Sequence, residues 1–134
     1  MDAEELKLRT KQFALRIIKL SESLPKTYTA EVIGRQLLRS GTSVGANYRA
    51  ACRARSHAEF IAKVGVVEEE TDETLYWLEL LVEGKIVPPE RLTALMAEAN
   101  ELLAIFTASG RTAKTQRASN PAIRNPQSAI RNPT

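Results

Sequence analysis

Four arginines carry the most suggestive chemistry in the chain. Arg35, Arg39, Arg49 and Arg53 are spaced 4, 10 and 4 residues apart. At about 100° per residue on a helix they fall within roughly 80° of arc, one stripe about five turns long. A row of guanidinium groups suits the phosphate backbone of RNA or DNA, which it would bind with little base selectivity and a strong salt dependence. It suits a row of carboxylates equally well. Residues 66–101 hold ten acids against Lys85 and Arg91. The stripe is therefore either a free anion site or a set of pairs to the acidic helix, within one subunit or between two. No aromatic residue is read as part of the stripe, which argues against base stacking of the single-strand type.

The remaining reactive side chains do not assemble into a catalytic or metal centre. His57 and Cys52 are the chain's one histidine and one cysteine. Five residues apart, they diverge on a helix and flank a predicted break. A di-iron bundle needs Glu-x-x-His on two helices, and the sequence has none. Zinc needs several Cys or His ligands. No phosphate-cradling or dinucleotide glycine motif is present. Glu68, Glu69, Glu70, Asp72 and Glu73 spread around a whole helix and read as solvated or ion-paired surface. The expectation is a protein that is not an enzyme, with no catalytic residues, no metal and no cofactor.

Helical periodicity dominates the segments that must position these residues. Leu6, Phe13, Ile17, Leu20 and Leu24 share about 60° of arc, and Pro25 ends that first helix. Thr29 is a candidate N-cap for the second. Ser56 with Glu59 fits a capping box for the third, and Gly84 is a natural stop. Pro88-Pro89 opens a fourth at its tolerated first turn, ending near Gly110. The spacing predicts helices over about 3–24, 29–54, 57–84 and 89–109, with no strand. Short connections between four such helices specify an all-α, antiparallel up-down-up-down four-helix bundle over residues 1–110.

Gly41 and Gly45, one turn apart, lie beside Cys52 on a flank of the second helix, where a neighbouring helix can come close. Each costs about 1 kcal/mol relative to alanine in a helix interior, so a packing or functional need is implied. The first helix has a second apolar set, Leu8, Leu15 and Ile18. The third has another in Ala62, Val66, Trp77 and Leu80. One bundle core needs one stripe per helix. The spare stripes, with Leu8, Leu15, Val66, Trp77 and Leu80 foremost, point to a homo-oligomer interface.

Of 134 residues, 43% are hydrophobic and 26% charged, which fits a globular protein and excludes a wholly disordered or collagenous one. A single cysteine fits a reducing, cytoplasmic location. The polar start MDAEELKLRT does not resemble a signal peptide, and no run approaches the ~20 apolar residues of a membrane span. The net charge of +3 is uneven: residues 111–134 carry five basic groups and no acid, leaving residues 1–110 at −2. Ile-Arg-Asn-Pro occurs at 123–126 and again at 130–133. Low apolar content and prolines at 121, 126 and 133 predict a disordered, basic, low-complexity tail over 111–134.

Two blocks carry a resemblance. Leu38-Arg39-Ser40-Gly41-Thr42-Ser43-Val44-Gly45-Ala46-Asn47-Tyr48-Arg49 resembles the signature of the bacterial four-helix bundle proteins that include those encoded by intervening sequences in large-subunit ribosomal RNA genes. Glu59 to Lys63 with Glu73 to Leu81 resembles that family's third helix. The resemblance spans about residues 5–110. It implies a four-helix bundle assembling as a homopentamer, and kinship to a basic accessory protein of diversity-generating retroelements that binds a reverse transcriptase and nucleic acid. The net negative body departs from that accessory type.

Overall fold

The computed structural model describes residues 1–119, which form α1 (Ala3–Glu22), α2 (Tyr28–Cys52), α3 (His57–Glu83) and α4 (Pro89–Ser119). No strand occurs among the described residues. Loops of four or five residues leave consecutive helices antiparallel, so the all-α up-down-up-down bundle is the observed fold. None of the helices is long and apolar enough to cross a membrane.

Local signals set the helix ends. Asp2, Thr27 and Ser56 each accept a hydrogen bond from a backbone N–H three residues on, the N-cap arrangement. Ser56 Oγ takes its bond from Glu59 N at 3.0 Å, but Glu59 Oε2 reaches back to Arg55 N, one residue before the cap. The cap of α2 is Thr27, where Thr29 was expected, so Tyr28 becomes the first residue of that helix. At the end of α3 the residue with positive φ is Lys85 (φ 59°), and Gly84 is an ordinary C-cap. Ile86 N bonds Leu81 O at 2.9 Å and Lys85 N bonds Val82 O at 3.0 Å, which together make a Schellman motif with lysine in the left-handed position.

The greatest departure from the sequence reading is at α4, which continues past Gly110 to Ser119. Gly110 is a buried packing position, with Val64 Cγ1 3.7 Å from where its Cβ would stand. One turn on, Ala113 is buried and its carbonyl oxygen lies 2.8 Å from His57 Nε2. Residues 111–119 are thus helix, where a disordered tail was expected. The rest of that expected tail, residues 120–134 with the Ile-Arg-Asn-Pro repeat, lies outside the described residues.

One apolar core runs the length of the bundle. Phe13, Ile17, Leu37, Val44, Val67, Leu78, Leu81, Leu92, Leu102 and Phe106 are almost fully buried, and the Tyr48 and Phe106 rings meet at 5.4 Å. The buried hydroxyls among the described residues are all satisfied. Thr10 and Thr71 donate to carbonyls one turn back, and Thr74 Oγ1 lies 2.9 Å from Ser40 Oγ across α2 and α3. Burial holds the Tyr48 phenol well above its usual range, and its hydrogen bond to Cys52 adds to the effect.

Candidate nucleic-acid interface

The α2 stripe does not behave as one unit. Arg39 is committed to α3: its Nη2 donates to Glu73 Oε2 and its Nη1 to Glu70 Oε1 at 3.4 Å. The carboxylates raise the Arg39 pKa, Glu73 foremost. Glu73 in turn accepts from Trp77 Nε1 at 3.0 Å, and this bond, with the Arg39 guanidinium, holds its carboxyl below the usual range. Trp77 is thereby placed half-buried beside the ion pair.

Arg35, Arg49 and Arg53 are exposed and make no salt bridge among the described residues. Each has a different setting. Arg53 is the C-cap of α2. Arg49 shares a surface groove with Glu4, Lys7, Leu8 and Lys11 of α1, where Lys7 is paired to Glu4 at 3.1 Å and Lys11 makes no salt bridge among the described residues. Arg35 stands at a cavity of about 570 Å³ between the end of α1, the α1–α2 loop and the start of α2. The cavity's apolar lining includes Ile18, Leu24, Ala30 and Leu38, with Lys26, Glu22 and Glu31 also on its walls.

Gly41 and Gly45 face α1. A Cβ at Gly41 would lie 2.8 Å from two side-chain carbons of Ile17, and one at Gly45 would lie 3.2 Å from Thr10 Oγ1. Cys52 is a half-buried free thiol against the core. Among the spare apolar residues, Leu8 and Leu15 are more than half exposed, Val66 is exposed, and Trp77 and Leu80 are half-buried. Ile18 and Leu38 are also exposed and meet at the cavity.

Tyr28 also belongs to the stripe, which the sequence pattern alone does not reveal. It is 82% exposed, and as the first residue of α2 it lies two turns before Arg35 on the same line of the helix. The signal was available in Thr27, which is as good a cap residue as Thr29.

A family model for the 23S rRNA-intervening sequence protein matches residues 5–108. The chain belongs to that family. Among solved structures, a protein of unknown function from the S23 ribosomal protein family of Bacteroides thetaiotaomicron superposes with a TM-score of 0.77 at 34% sequence identity. The match covers 83% of this chain and 99% of that one. No curated protein matches.

Proposed function

We propose that this family member is a non-enzymatic, self-associating helical bundle that binds nucleic acid, RNA first, through α2. The observation that carries the reading is the division of the stripe: Arg39 is neutralised by α3, whereas Arg35, Arg49 and Arg53 keep their charge available. Lys11 extends the basic surface across the groove onto α1. Cations held on helices and not engaged by carboxylates are what a phosphate backbone recognises. RNA is placed first because the family's name refers to an intervening sequence of 23S rRNA.

A second reading is an assembly or adaptor module, a homopentamer docking a protein such as a reverse transcriptase. It is favoured by the exposed Leu8, Leu15 and Ile18 on α1. Size-exclusion light scattering of the full chain, with and without a structured RNA at low and moderate salt, separates the two. A multimer whose mass rises with RNA at low salt supports the first reading. A multimer indifferent to RNA supports the second, and a monomer contradicts self-association in both.

A further inference from the structure

Two features at the start of α2 are not needed for binding a phosphate backbone. One is Tyr28, the most exposed large apolar side chain among the described residues. It lies about 10 Å along the helix axis from Arg35, on the same face. The other is the cavity that Arg35 borders. Its volume, about 570 Å³, falls in the range of small-ligand sites. Its walls include the apolar side chains of Ile18, Leu24, Ala30 and Leu38 beside Lys26, and its carboxylates, Glu22 and Glu31, make no salt bridge among the described residues.

An exposed aromatic ring in line with unpaired arginines is the arrangement by which proteins hold single strands: bases stack on the ring while cations follow the backbone. Duplex bases are already stacked and offer no face to Tyr28. An apolar slot beside a phosphate-binding arginine likewise suits a base splayed out of its stack. The carboxylates on its walls repel phosphate but accept hydrogen bonds from exocyclic amino groups, as carboxylates do from cytosine N4. Uracil has no such group.

We infer that the α1–α2 end is an anchoring site for single-stranded nucleic acid. One phosphate sits on Arg35, one base stacks on Tyr28, and an amino-bearing base enters the Leu24–Leu38 cavity. This rests on the nucleic-acid reading above and narrows its substrate class from any polyanion to unpaired strands.

The test is fluorescence anisotropy on the full chain with three RNA probes: a short oligocytidine, an oligouridine of equal length, and a duplex of equal length. Tyr28→Ala is expected to weaken binding of the oligocytidine by about 5- to 150-fold while leaving the duplex within twofold. Oligocytidine is expected to bind more tightly than oligouridine, and Glu31→Gln to reduce that preference. Because Tyr28 is so exposed, its replacement leaves the fold intact. A silent Tyr28→Ala, an equal loss on strand and duplex, or equal affinity for the two strands overturns the inference. If Arg35→Glu still weakens all three probes in that case, the broader nucleic-acid reading stands. If no probe binds, both fall.

Discussion

Arg9 of α1 grips Glu98 of α4 with both arms of its guanidinium: Nε donates to Oε2 at 2.7 Å and Nη2 to Oε1 at 2.6 Å. Nη2 also lies 2.8 Å from Glu101. α1 meets α4 far more sparsely than it meets α2, so this long side chain bridges the loosest of the four neighbouring helix pairs. The carboxylates push the Arg9 pKa up, Glu98 most of all, and the pair is only about a fifth exposed. Planar, bidentate geometry of this kind is the strong form of an ion pair. Arg9→Ala is expected to destabilise the fold by about 1–2 kcal/mol, read in chemical denaturation. Arg9→Lys rescues little, because an ammonium cannot make the fork. A double-mutant cycle with Glu98→Ala showing no coupling would refute the role of the pair.

The glycines of the bundle divide by what surrounds them. Gly41→Ala pushes a Cβ to 2.8 Å from the fully buried Ile17, and overpacking there costs about 1–3 kcal/mol. The two sites are expected to couple, Ile17→Ala costing less in the Gly41→Ala chain than in the wild type. Gly65, in the middle of α3, has nothing within 4 Å of its missing Cβ. Gly65→Ala is therefore expected to stabilise by about 0.5–1 kcal/mol. Paired thermal melts check both signs.

Lys85 holds the left-handed position that glycine usually occupies at a helix end. Lys85→Gly relieves that backbone cost and is expected to raise stability by about 0.5–1 kcal/mol. Gly84→Ala is expected to do the reverse, since its Cβ would stand 2.8 Å from the Leu80 carbonyl oxygen. Denaturation midpoints of the two variants shifting in the same direction would contradict this account of the turn.

Trp77 is the chain's one tryptophan, and its indole N–H rests on Glu73. The Trp77 bond and Arg39 lower the Glu73 pKa in the folded chain. A depressed carboxylate contributes stability above its unfolded pKa, and this is lost as pH falls through the folded value. Trp77 emission is expected to titrate with a midpoint below the ordinary glutamate value of about 4.3, and Glu73→Gln to abolish that step. Glu73 is partly exposed, so the stability change is expected to be small and salt-sensitive. A midpoint at or above the ordinary value would contradict the geometry.

The sequence exposes the bundle because its apolar residues repeat at helical spacing and its loops carry strong stop signals at Pro25, Ser56 and Pro88-Pro89. It misplaces two ends for identifiable reasons. Gly110 looks like a terminator, but glycine also serves where a helix backbone packs against a neighbour, and the contact with α3 at Val64 distinguishes the two. Thr27 and Thr29 are equal as caps, and choosing between them decides whether Tyr28 joins the arginine stripe. The stripe itself follows from spacing. Its division follows from the register of α2 against α3, which sets Arg39 opposite Glu70 and Glu73 and leaves Arg35, Arg49 and Arg53 to solvent.

The most direct test of the nucleic-acid reading is the salt dependence of RNA binding by the full chain, wild type against Arg35→Glu/Arg49→Glu/Arg53→Glu, with Arg39→Ala beside them. Each phosphate contact contributes roughly 0.7–0.9 to the slope of log affinity against log salt. The triple variant is expected to lose about 2–3 from that slope along with most of its affinity. Arg39→Ala is expected to leave the slope near wild type and to weaken the α2–α3 pairing instead. Equal slopes in wild type and the triple variant, or a loss confined to Arg39→Ala, would contradict nucleic-acid binding through these three arginines.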